Sequence, residues 1–118
     1  MNNTNYTIVE NNVPKTVYFE KGEAVIDDAK FTDLPKDEQK KVLAYIKDSF
    51  IPMSKACKDY GAYKLKDAPY DVLGIYMTHN QFKHAMLTAG FKPVHTDDYE
   101  WFFRISAKSA AIKHFKRW

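Results

Sequence analysis

The sharpest pattern of hydrophobic and polar positions lies between Ile75 and Ser106. Phe82, Ala85, Met86 and Ala89 recur at spacings of three and four, which predicts a helix with one apolar face. Thr78 suits the N-cap, with Gln81 three residues on to complete a capping box. Gly90 stands where a left-handed residue closes a helix. Beyond it, Phe91-Lys92-Pro93-Val94, a polar turn at Thr96-Asp97-Asp98, and Tyr99 to Ile105 predict an antiparallel hairpin. Tyr99, Trp101, Phe103 and Ile105 alternate and so share one sheet face against the helices, leaving Phe102 beside Glu100 and Arg104 on the other. A helix followed by a hairpin is how a winged-helix module ends.

The first third alternates differently. Tyr6-Thr7-Ile8-Val9 and Val13 to Phe19 are β-prone runs split by Asn11-Asn12, and Lys21-Gly22 can turn the chain into Ala24-Val25-Ile26. This predicts a small hairpin or meander over residues 1–30, with Pro14 at a strand start or an edge. A helix is expected to begin with Pro35 as its first residue and to bury Val42, Leu43, Ile46, Phe50 and Met53. Asp37 and Glu38 favour its opening turn, and Pro52 ends or kinks it. Met53, Ala56 and Cys57 offer a second short stripe with Gly61 as its stop. Tyr63 to Leu73 reads as helix broken at Pro69. No linker or repeat divides the 118 residues, so the expectation is one small α+β domain: an N-terminal β part, then helices ending in a winged-helix-like unit and a basic tail.

Charge sharpens the contrast between the two parts. Residues 1–50 hold seven Lys against nine Asp or Glu, a balance of −2, whereas residues 51–118 hold eleven Lys or Arg against six acids, a balance of +5. Arg104 to Trp118 contains five basic residues and no acid, and no carboxylate falls between Asp71 and Asp97. Such basic stretches attract phosphate backbones by counterion release. The single cysteine, Cys57, rules out an intrachain disulfide and fits a reducing compartment. With no long apolar run and no signal-peptide features at Met1 to Asn5, a soluble cytoplasmic protein without a membrane role is expected.

Candidate chemistry is sparse. His79 and His84 are five apart, not the four of a helical zinc pair, and His95 and His114 lie elsewhere. No CxxC, HExxH, phosphate loop or GxSxG occurs, and Asp27-Asp28 and Asp97-Asp98 sit in predicted turns, where Asp bonds the local backbone. No catalytic residue, metal or cofactor is therefore expected, and no enzyme. Binding is the better reading. The outer side of the 79–89 helix is expected to carry His79, Asn80, Lys83, His84, Leu87 and Thr88. Asn80, Lys83 and His84 are the candidates for duplex DNA contact, with Lys108, Lys113, Lys116 and Arg117 in support. Asp97, Asp98 and Glu100 at the hairpin tip would repel phosphate. Together with Phe102 they form the alternative surface, for a protein partner. Phe102 and Trp118 are the aromatics expected to be exposed.

Tyr63-x-Leu65-Lys66, the run YMTHNQF from Tyr76, AMLTAGFKPV from Ala85 and the WFFRIS segment from Trp101 resemble a pattern in small phage, plasmid and integrative-element proteins of Gram-positive bacteria. The likeness spans about residues 60–106 and departs at Asp67 and Pro69, where those proteins read as continuous helix. It implies a mobile-element accessory protein in a bacterial host cell, without catalytic residues to carry over. The expected function is binding of nucleic acid or a nucleic-acid-handling complex. The alternative is an anti-CRISPR-like inhibitor of a host defence protein.

Overall fold

Two left-handed turns shape the N-terminal third of the computed structural model, which describes residues 4–116. Asn11 and Asn12 have φ of 52° and 64°, and Lys21 and Gly22 have 51° and 81°. Two consecutive positive φ values make a type I′ turn, whose twist matches that of paired strands. The result is a meander of β1 (Tyr6–Glu10), β2 (Val13–Glu20) and β3 (Glu23–Asp27), antiparallel in the order β1-β2-β3. Pro14 pairs with Val9, while β3 reaches β2 only from Thr16 onward. The missing proline N–H therefore falls where β2 has a single neighbour.

A single 3-10 turn (Phe31–Asp33) leads to α1 (Lys36–Ser49), for which Pro35 is the N-cap and not the first helical residue. Val42, Ile46 and Phe50 are buried as the spacing predicts, but Met53 is exposed. Residues 51–60 form no helix because their backbone is spent elsewhere. Met53 N–H donates to Arg104 C=O and Cys57 N–H to Phe103 C=O, while Ser106 N–H returns to Ile51 C=O. Gly61 does not stop a helix; it is the N-cap of α2 (Ala62–Leu65). The break before α3 (Asp67–Leu73) comes at Lys66, not Pro69. Pro69 lies in the first turn of α3, where a helix leaves its N–H groups without intrahelical partners and proline is tolerated.

α4 (His79–Thr88) has the expected capping box. Gln81 N–H donates to Thr78 Oγ1 at 3.1 Å, and Thr78 N–H to Gln81 Oε1 at 3.0 Å. At its other end Gly90 has φ 94°, Phe91 N–H reaches Met86 C=O and Gly90 N–H reaches Leu87 C=O, both at 3.0 Å. This pair of bonds is a Schellman closure, with Phe91 buried behind it. The expected second hairpin forms no regular strands. It is reduced to the bridge Pro93↔Phe103, flanked by Val94 N–H to Phe102 C=O and Arg104 N–H to Lys92 C=O. Pro93 cannot donate, and Phe103 C=O and Arg104 C=O are taken by Cys57 and Met53, so no ladder extends. The alternation still sets the burial: Trp101, Phe103 and Ile105 are interior.

The tail contributes α5 (Ala110–Phe115), which seals the core with Ala111 and Ile112. Around Phe82, Met86, Trp101 and Phe103 the core joins α1, α2, α4, α5 and Phe31 into one cluster. The architecture is α+β: a three-stranded antiparallel sheet laid on α4, with the other helices packed behind. Among the described residues no helix is long and apolar enough to cross a membrane.

Candidate functional site

α4 carries the polar side chains expected on its outer side, and the structure turns four of them inward. His79, Asn80, Lys83 and His84 are all buried: Asn80 and Lys83 under β2, His84 against the Phe31 turn, and His79 against Glu100, Tyr63 and Tyr99. Asn80, Lys83 and His84 are thus unavailable for the direct DNA contact expected of them. Thr88 is exposed and Leu87 partly so.

What they do instead is fasten the sheet. Asn80 Nδ2 donates to Pro14 C=O at 2.7 Å and Ala29 C=O at 2.8 Å, while its Oδ1 accepts from Thr16 Oγ1 at 2.8 Å. Lys83 is fully buried, with Nζ donating to Thr7 Oγ1 at 2.9 Å, Thr16 Oγ1 at 3.0 Å and Tyr99 C=O at 2.6 Å. Thr7 Oγ1 in turn donates to Asp98 C=O at 2.7 Å. The Lys83 ammonium also sits 5.4 Å from the Tyr99 ring centre and 5.2 Å from that of Trp101, both cation–π distances. Burial still pulls its pKa down to about 7, against the opposing pull of Glu100 and Asp27. His84 Nδ1 accepts from Phe31 N–H at 2.9 Å, and burial holds its pKa below the usual value.

His79 belongs to a different group. Its Nε2 lies 3.1 Å from Glu100 Oε1, and Glu100 also accepts from Tyr63 N–H and Trp101 N–H. Burial pushes the Glu100 carboxyl up, but these bonds overcome it and keep the pKa below the ordinary carboxylate value. Burial outweighs Glu100 at His79 and lowers the histidine pKa. Together these directions give a neutral ring donating through Nε2 to a carboxylate. Its Nδ1 is then an acceptor, and it is the one buried side-chain nitrogen or oxygen without a partner among the described residues.

His79 forms part of the wall of a cleft of about 640 Å³ between the sheet and α2. Tyr18, Tyr63, Tyr76 and Tyr99 line it with Glu20, Asp27 and Lys66. Asp27 already serves the start of α4, accepting from Asn80 N–H at 2.9 Å and Thr78 Oγ1 at 3.2 Å. Lys66 Nζ lies 5.1 Å from the Tyr63 ring centre and 5.3 Å from that of Tyr76.

The remaining expected contacts divide. Lys108 and Lys113 are exposed, whereas Lys116 donates to Asp59 and His114 Nε2 meets Asp71 Oδ2 at 3.0 Å. Acids of the helical part thereby offset some of the basic tail. Arg117 and Trp118 lie outside the described residues. Asp97 and Asp98 present exposed side chains while their carbonyls bind Thr7, and Phe102 is partly buried. Glu100 is committed to His79 and the backbone. Among the described residues no three His, Cys, Asp or Glu side chains gather as a metal would require.

The cleft is not legible in the sequence because its residues come from five separated segments. The inward Thr7 and Thr16 were the available signal for the buried lysine, since polar side chains on a sheet's inner face need partners. Comparison of the chain with family models, curated proteins and solved structures finds no match.

Proposed function

We propose that this is a non-enzymatic accessory protein of a phage or other mobile element, acting in the bacterial cytoplasm by binding a protein of a nucleic-acid-handling or host defence complex. One observation carries the protein-partner reading: the outer face of the sheet exposes large apolar side chains on both edge strands, around a buried Val17. Tyr6, Val17 and Ile26 form a row across all three strands, and Ile8 stands two residues along β1 from Tyr6. Tyr6, Ile8 and Ile26 are 38 %, 42 % and 56 % exposed. Large apolar side chains left exposed on both edge strands are candidates for an interaction surface. The sequence likeness to mobile-element proteins supports the context, and an anti-CRISPR-like inhibitor is one form such a partner-binding protein takes.

Direct DNA binding is the second reading, favoured by exposed Lys108 and Lys113 in a stretch without acids. The order of α4 and the bridged loop 91–105 supports a winged-helix-like description. A groove-reading role for α4 is disfavoured, because β2 lies over its polar face.

Two measurements separate the readings. Fluorescence anisotropy with mixed-sequence duplex DNA across a salt series is expected to show no binding in the micromolar range. A panel of purified bacterial defence nucleases and replication or repair complexes should include one retained by the protein and lost to Ile8→Asp with Ile26→Asp. Tight, salt-steep DNA binding abolished by Lys108→Ala with Lys113→Ala would replace this reading with the second.

A further inference from the structure

The tyrosine-lined cleft holds a cation already. Lys66 lies between the Tyr63 and Tyr76 rings at 5.1 and 5.3 Å, in the geometry by which aromatic faces attract positive charge. Both rings are fixed from behind. His79 meets Tyr63 edge-on, with centroids 5.5 Å apart at 87°, and Tyr70 meets Tyr76 likewise at 6.0 Å and 89°. Yet Tyr63 and Tyr76 remain 58 % and 59 % exposed, an open pair of large rings on a protein surface. Tyrosines arranged so are typical anchors for a partner, having little side-chain freedom left to lose.

The charge of the cleft says what kind of group enters. Its lining brings two carboxylates, Glu20 and Asp27, against one ammonium, Lys66. A phosphate or an acidic side chain would face a net negative lining. A donor-rich cation with a flat face would face two π surfaces and carboxylates, which is the chemistry of guanidinium. We propose that this cleft receives an arginine side chain of the protein partner, with Lys66 as an internal stand-in that must swing out to admit it. The inference rests on the protein-partner reading and adds a second, charge-selective contact to the apolar sheet face.

The test uses the full chain, 15N-labelled, titrated with the peptide Ac-Gly-Arg-Gly-NH2 and with its citrulline counterpart, which keeps the shape and loses the charge. The arginine peptide should shift the amide signals of Tyr63, Lys66 and Tyr76 in a saturable way, and the citrulline peptide should not. Lys66→Ala, which empties the clamp, should tighten arginine binding several-fold. Tyr76→Leu, which keeps the bulk and removes the ring, should weaken it about tenfold. Absent or equal shifts with the two peptides would overturn the proposal, as would weaker binding by Lys66→Ala. Should the cleft ignore arginine while Ile8→Asp with Ile26→Asp still abolishes capture of a partner complex, the cleft assignment fails and the protein-partner reading stands. Should the arginine peptide bind while no protein of the panel does, the site stands and that reading falls.

Discussion

At the scale of single residues, Lys83 is the most heavily constrained side chain in the molecule. Three acceptors surround Nζ, which is what an ammonium satisfies and a neutral amine cannot fully match. Burial opposes that charge and sets the pKa at about 7, below the usual 10.5. Between those values the unfolded chain binds more protons than the folded one, so stability rises with pH. The gain from this residue is fully developed above 10.5 and lost as pH falls toward 7. Denaturant unfolding at pH 7 and pH 9 should differ by roughly 2 kcal/mol in favour of pH 9. Lys83→Met should remove that difference while leaving Thr7, Thr16 and Tyr99 short of a donor. Gly61 is constrained for another reason. A Cβ there would stand 2.5 Å from Glu100 Cδ, and Glu100 is held by His79 and two backbone N–H groups. Gly61→Ala should therefore cost about 2 kcal/mol in chemical denaturation, far more than its ordinary backbone angles suggest.

At the scale of elements, α4 was legible in its ends and its apolar face, and not in its polar side. Thr78, Gln81 and Gly90 fix both boundaries through local chemistry that spacing alone reveals. Which polar side chains face inward depends on what packs against them, and the sheet that does so lies more than fifty residues away in the chain. The meander was equally legible, because Asn11-Asn12 and Lys21-Gly22 adopt the positive φ values that two-residue turns need. The hairpin after α4 was not, since its backbone partners come from residues 51–62 and carry no periodicity. Two substitutions at the start of α4 separate local from tertiary support. Thr78→Ala removes a cap and should cost about 1 kcal/mol. Asn80→Ala strands Pro14 C=O, Ala29 C=O and Thr16 Oγ1 in the interior and should cost on the order of 3 kcal/mol in the same unfolding measurement.

At the scale of the whole molecule, chain segments distant in sequence meet at one ammonium. Lys83 joins β1 through Thr7, β2 through Thr16 and the late loop through Tyr99, while Thr7 N–H binds Asp97 C=O at 3.0 Å. The acidic first part and the basic second part are therefore joined directly, and they are expected to unfold together. In Lys83→Met, hydrogen exchange should quicken together at the amides of β1 and of residues 97–101, while α1 keeps its protection. Acceleration confined to either segment would mean that the two are not coupled through this contact. The candidate cleft shares this dependence on assembly. Tyr18, Tyr63, Tyr76 and Tyr99 are each unremarkable in sequence, and only the packing of β2 and α2 on α4 brings them around one space.

One feature of the meander has a bearing on how the protein behaves in bulk. Beyond β3 no further strand pairs among the described residues, so the backbone of Glu23-Ala24-Val25-Ile26-Asp27 offers an open row of donors and acceptors. A second copy adding itself antiparallel would set Glu23 against Asp27, carboxylate opposing carboxylate, next to Asp28. Like charges directly opposite one another deter such pairing. Glu23→Gln with Asp27→Asn would remove that guard and leave Ile26 beside a bare edge. That variant should pair edge to edge into a dimer, visible as an earlier size-exclusion peak, whereas the native sequence keeps its copies apart.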